Sequence, residues 1–217
     1  MPKNQLSRYV LTDELHVLLK QKIITHDMAA GDRINIDKLA RDLGVSNIPI
    51  REALFRLSSE GFVTVVPFKG MFVAEMNLKD IDEIFEIRKS LEELSIRNAA
   101  PRLPKPVLHK ILEELAQPPE VSAANEEEGR MLRMNEGLHG TLLAYADNMN
   151  LLRLVTSLIE RIYRYLNVHH YKIELPAERT EHEAIVQALL DEDTERAVEA
   201  MRVHLQNAHK RLRESFA

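Results

Sequence analysis

Residues 36–74 carry a run of helix starts and stops that few folds accommodate. Ile36-Asp37-Lys38-Leu39-Ala40-Arg41-Asp42-Leu43 predicts a short helix from about Asp37, with Leu39, Ala40 and Leu43 on one face. Gly44 closes it, since glycine most readily takes the left-handed backbone at a helix end. Ser46 then stands where an N-cap belongs, and a second helix runs from it to Glu60. Pro49 is tolerated in the first turn, where its missing amide would have no partner. Gly61 ends that helix. Two short extended runs follow, Phe62 to Val66 and Met71 to Ala74, and Pro67-Phe68-Lys69-Gly70 between them predicts a β-hairpin. Upstream, Leu15, Leu18, Leu19 and Ile23 recur at helical spacing from Thr12 to about His26, before the turn Ala29-Ala30-Gly31-Asp32. Helix, helix, turn, helix, hairpin is the order of a winged helix-turn-helix.

From Asn77 onward every periodic segment is helical. Helices are expected near 78–100, 105–116, 124–147, 150–171, 178–190 and 194–215. Breaks fall at Pro101/Pro104, Pro118-Pro119, Asp147-Asn148, Pro176 and Asp191-Glu192. Six antiparallel helices with short connections make a bundle. The expected fold is mainly α: residues 1–76 a winged helix-turn-helix, residues 77–217 an all-helical domain for effector binding and dimerisation.

Charge divides the same way. Residues 1–76 hold 10 Lys and Arg against 9 Asp and Glu, whereas the remainder holds 19 against 25, within a net charge of −5. The first segment is the one suited to approach phosphate. The chain has no cysteine, which excludes disulfides, thiolate metal sites and cysteine nucleophiles. No apolar run approaches the roughly 18–20 residues that span a bilayer, and the N-terminus lacks a signal-peptide layout. A cytoplasmic protein with no membrane partner is expected.

A recognition helix presents the polar side chains of its N-terminal half to base edges in the major groove. Here Ile50, Ala53, Leu54 and Leu57 face inward, leaving Asn47, Ile48, Pro49, Arg51 and Arg56 as the expected DNA-contacting set of that helix. Arg51 suits a bidentate contact to guanine or phosphate, and Lys69 and Gly70 at the hairpin tip suit a wing close to the DNA backbone. The same helix pair also occurs in folds that bind no nucleic acid. Gly31-Asp32-Arg33-Ile34, Leu39-Ala40, Leu43-Gly44-Val45-Ser46, Pro49-Ile50-Arg51-Glu52-Ala53-Leu54, Arg56-Leu57 and Glu60-Gly61, with Gly70 and Val73, closely resemble the GntR family of bacterial repressors and activators. That resemblance implies that Arg51 contacts DNA and that Gly70 is the wing-tip glycine. The family usually carries Arg-Thr after the capping serine, where this chain has Asn47-Ile48. A symmetric homodimer on an inverted-repeat operator is expected.

In the C-terminal region three separate helices each place an imidazole on an apolar stripe. His139 shares its stripe with Asn135, Leu138 and Leu142; His182 with Ile185, Val186 and Leu189; His204 with Ala197, Met201 and Leu205. Burying three unpartnered imidazoles is costly, and a shared divalent ion would satisfy them. Asn135, His139, His182 and His204 are therefore the expected metal ligands, a set suited to Zn²⁺ or Ni²⁺. Hydrogen-bonded core histidines are the plainer alternative. Arg88 lies on the inward stripe of Ile81, Ile84, Phe85 and Leu91, where it suits either a carboxylate effector or a salt bridge to a neighbouring Glu.

Phe85-Glu86-Ile87-Arg88, Leu91-Glu92, Asn135 to His139, Asn148, His182-Glu183-Ala184-Ile185 and Met201 to Leu205 resemble the FadR-type C-terminal (FCD) ligand-binding domain, and six helices resemble its VanR branch. The resemblance implies an Asp and three His around a metal, matched here by Asn135, His139, His182 and His204, and a small organic acid as effector. A metal-dependent hydrolase on the same site is the rival reading. It lacks an HExxH spacing, because position 186 is Val186, and Glu136 and Glu183 fall roughly 100° off the ligand faces. No enzymatic activity is expected.

Overall fold

The computed structural model describes residues 4–117, 137–168 and 176–216. The chain forms two compact units, Met1–Met76 and Asn77–Ala217. In the first unit α1 (Asn4–Ile24), α2 (Ile36–Leu43) and α3 (Asn47–Ser59) precede a hairpin of β1 (Val63–Val66) and β2 (Gly70–Val73). The Asn35 side chain caps α2 by accepting from Lys38 N at 2.9 Å. Gly44 ends it at φ +67°, its amide reaching the carbonyls of Ala40 and Arg41. Ser46 occupies the N-cap position of α3, but its hydroxyl makes no capping hydrogen bond.

Helix α3 buries Pro49, Ile50, Ala53, Leu54 and Leu57 and packs on α1. The inward face of α1 is Thr12, Leu15, His16, Leu19 and Ile23. Leu18, expected on that face, is 37% exposed instead. It sits roughly 110° around the helix from the centre of that stripe. The hairpin pairs Val63 with Val73 and Val66 with Gly70, and Ile34 N donates to Met71 O at 2.8 Å, so the chain after α1 lines the outer edge of β2. β1 starts one residue later than expected because Phe62 N closes the end of α3, donating to Leu57 O at 2.9 Å.

The second unit has six helices among the described residues: α4 (Leu78–Ala99), α5 (Lys105–Ala116), α6 (Leu138–Tyr145), α7 (Met149–Val168), α8 (Pro176–Leu190) and α9 (Thr194–Phe216). The helix expected over 124–147 is described only as α6; its earlier part, with Asn135, lies outside the described residues. α4 packs on α6, α7 and α9, and α9 also packs on α8. Ile81, Ile84, Phe85, Ile96, Val155, Ile159, Met201 and Leu205 fill the space between them, all 2% exposed or less. At roughly 25 cal/mol per Å² of apolar surface, this burial is the main force holding the bundle. No helix of the described residues is long and apolar enough to cross a membrane.

Candidate metal centre and DNA-binding face

The three inward stripes bring their histidines to one point. His139 is the second residue of α6, His182 lies mid-way along α8 and His204 mid-way along α9. Nε2 of His204 is 3.3 Å from Nε2 of His139 and 3.3 Å from Nε2 of His182. The three ligand-capable nitrogens all lie within 4.8 Å of one another.

What surrounds the imidazoles decides their state. His139 Nδ1 donates to Glu92 Oε2, and His204 Nδ1 donates to Glu181 Oε2 at 2.8 Å. Each carboxylate is held in turn by an arginine. Arg88 Nε and Nη2 donate to Glu92 Oε1 at 2.9 and 2.5 Å. Arg211 Nη1 and Nη2 donate to the two oxygens of Glu181 at 2.8 and 2.9 Å, and Asn207 Nδ2 adds a bond of 2.8 Å. Burial opposes the charge on Glu92, which is 1% exposed, yet the charge of Arg88 and the hydrogen bonds from His139 and Arg88 outweigh it and hold the carboxyl well below the usual range. Glu181 behaves alike: burial opposes ionisation, and the bonds from Arg211, His204 and Asn207 overcome it.

An ionised carboxylate accepts only, so the proton of His139 and of His204 sits on Nδ1. With both rings neutral, each Nε2 carries a lone pair, and the two face each other at 3.3 Å. His182 can supply one proton to one of them at most. A cation in the middle would relieve this repulsion, and His182 and His204 resist taking a proton themselves. Burial, opposed by the bond to Glu181 and aided by His139, brings His204 down to about 4. Burial, with the neighbouring His204 and His139, takes His182 well below its ordinary value. Neutral imidazoles oriented by carboxylates through Nδ1 are the donors that hold zinc-like ions.

Sequence periodicity finds the three histidines but misses Glu92, Glu181, Asn207 and Arg211. Glu92 had a signal, being four residues after Arg88 on the same inward face. Glu181 had none, because its partners come from the packing of α8 on α9. Arg88, 3% exposed, makes the neighbouring salt bridge that was one of its two expected roles. Its Nη1 makes no hydrogen bond among the described residues. Of the other histidines, His16 is buried on Glu60 at 2.7 Å and His209 stacks on Phe85 while reaching Asp82 at 2.7 Å. His169 and His170 lie outside the described residues.

On α3, Arg51 is exposed and Ile48 is 54% exposed. Arg56 is exposed and paired with Asp13. Asn47 turns back to α2, its Nδ2 donating to Asp37 Oδ1 at 2.6 Å. Pro49, expected at the DNA face, is buried; its ring packs the first turn of α3 inward and is not available to a partner. Lys69 and Gly70 are exposed at the hairpin tip. Gly70 has φ +115°, a conformation that side chains rarely adopt, so glycine is required there by the backbone.

A model of the gntR family of bacterial regulatory proteins matches residues 11–73, and an FCD domain model matches residues 83–207. The Nta operon transcriptional regulator of Aminobacter aminovorans is 36% identical over 142 residues, 64% of this chain and 65% of that protein. The HTH-type transcriptional repressor GlaR of Escherichia coli is 28% identical over 196 residues, covering 86% of this chain and 89% of the relative. Among solved structures, Escherichia coli McbR/YncC shares the fold, with a TM-score of 0.72 at 24% identity over 95% of this chain and 99% of that one.

Proposed function

Because the chain belongs to the gntR family of bacterial regulatory proteins and carries an FCD domain, we propose that a small organic acid bound beside a divalent metal controls its affinity for operator DNA. That it is a DNA-binding transcriptional regulator follows from the family; the effector, the metal and the dimer are our reading. His139, His182 and His204 hold the ion through Nε2, with Asn135, outside the described residues, as the fourth donor. Zn²⁺ or Ni²⁺ suits that set, and the ion supplies a Lewis-acidic anchor for a carboxylate. The free Nη1 of Arg88 is the second anchor. The observation that carries the reading is the pair of Arg–Glu–His chains, which turn two imidazole lone pairs onto one point.

Binding is favoured over hydrolysis by the same chains. Glu92 and Glu181, the carboxylates that reach the cluster among the described residues, are both taken by Nδ1 protons and arginines and are not free to act as a general base. The protein acts as a homodimer on an inverted repeat, with Asn47, Ile48, Arg51, Arg56, Lys69 and Gly70 at the DNA. Repression is what the relative GlaR is named for, and we extend it to this chain.

Metal content of the purified chain, measured by mass spectrometry, tests the centre. Near-stoichiometric zinc or nickel is expected, and its loss in the His182→Ala/His204→Ala variant. Zinc binding by that variant equal to wild type overturns the site. Retardation of operator DNA with a panel of small carboxylates tests the coupling, expected at about 5–150-fold in affinity, the usual allosteric range. Arg51→Ala should lose operator binding while the dimer remains folded.

A further inference from the structure

The exposed face of α3 is unusually apolar for a surface that meets DNA. Ile48 and Phe55 are each 54% exposed, and Arg51 and Glu52 lie between them in sequence. At 100° per residue these four side chains fall within an arc of roughly 100°. Two polar groups that could have served there are drawn away. Asn47 is bonded to Asp37 at 2.6 Å, and Glu52 accepts from Thr12 Oγ1 at 3.3 Å. At the start of the helix this leaves a branched hydrocarbon beside a guanidinium, Ile48 and Arg51 lying one turn apart.

Residues in the first turn of a recognition helix reach the base edges of the major groove. Of the groups that a base pair displays there, the C5-methyl of thymine is the apolar one; the rest are hydrogen-bond donors and acceptors. Ile48 can neither donate nor accept. Over any other base it would strip water from a polar edge and return nothing. Resting on the DNA-binding reading of α3, and on nothing at the metal centre, we infer that Ile48 reads the 5-methyl of a thymine in each half-site, next to the base pair engaged by Arg51. Ile48 is thus a specificity-determining residue, and the operator carries a thymine at the position it meets.

Methyl deletion tests this. An operator is selected by the full chain from a randomised duplex pool, and each of its thymines is replaced in turn by deoxyuridine, which removes the methyl and keeps every hydrogen-bonding group. Binding is followed by fluorescence anisotropy at one fixed salt concentration. At one symmetry-related position the wild type should weaken about fourfold per half-site, the factor for burying one methyl-sized group, and about 15-fold with both half-sites changed. The Ile48→Ser variant should bind the thymine and deoxyuridine duplexes alike. Its melting temperature is the folding control, and Ile48→Val, should serine disturb the helix, should give an intermediate ratio. Arg51→Ala should lose binding to both duplexes alike. Insensitivity of the wild type at every thymine, or equal sensitivity in wild type and Ile48→Ser, overturns the inference while leaving DNA binding intact. Failure of the wild type to select any sequence overturns the DNA-binding reading itself.

Discussion

Glu181→Gln is the change that separates an oriented metal centre from a cluster of packed histidines. Glu181 accepts four hydrogen bonds, one from His204 Nδ1, one from Asn207 and two from Arg211. Glutamine keeps one acceptor oxygen and places an NH₂ where the other stood, so a donor now faces Arg211 together with either His204 Nδ1 or Asn207. If His204 yields, its proton moves to Nε2, the nitrogen that an ion needs bare. Loss of such an orienting partner typically costs 10–100-fold in metal affinity. With zinc in excess, stabilisation by binding changes as RT times the logarithm of that ratio, about 1.4–2.7 kcal/mol. For a chain of 217 residues the zinc-induced rise in melting temperature should shrink by roughly 3–10 °C. Calorimetric zinc titration and circular-dichroism melts with and without zinc measure both quantities. A variant that melts lower without zinc, yet binds zinc within twofold of wild type, refutes the orienting role.

Arg88→Met strands the charge of Glu92, which is 1% exposed, and should destabilise the chain by about 3–5 kcal/mol in urea titration; the Arg88→Met/Glu92→Leu double variant should recover most of that loss. In the winged unit, burial opposes the charge on Glu60, but His16 and Lys20 outweigh it and lower its pKa. A depressed folded-state pKa gives stability that is present above the unfolded value, 4.5, and lost as pH falls through the folded one. The melting temperature of Glu60→Gln should therefore fall less than that of wild type between about pH 5 and 3. Gly44→Ala meets no neighbour within 4 Å but must hold φ +67°, a cost of roughly 1–2 kcal/mol detectable by denaturant unfolding.

The winged unit was legible in the sequence because its signals are local. Gly44 and Gly61 mark the ends of α2 and α3, and the hairpin lies within a residue of where its turn puts it. The three histidines were legible for a related reason, since helical period alone assigns each to the stripe it shares with Leu142, Ile185 or Met201. Period says that a side chain points inward but not what it meets. Arg88 was therefore open between an effector and a glutamate, and the reach of Glu181 to His204 and Arg211 was invisible until α8 and α9 packed. Leu18 shows the same limit from the other side: it keeps helical spacing with Leu15 yet lies off the buried stripe. Pro49 was placed at the DNA by its neighbours in sequence, and the helix turns it the other way.

The convergence of His139, His182 and His204 has a topological meaning in a chain that contains no cysteine. His204 lies 22 residues from His182 and 65 from His139, so an ion bound to all three closes large loops in the unfolded chain. On the polymer estimate used for disulfides, one such closure removes about 3–4 kcal/mol of chain entropy from the unfolded state. Unlike a disulfide, this cross-link answers to ion supply and acidity, not to redox state. In a cysteine-free chain such an ion would be both part of the effector site and a staple.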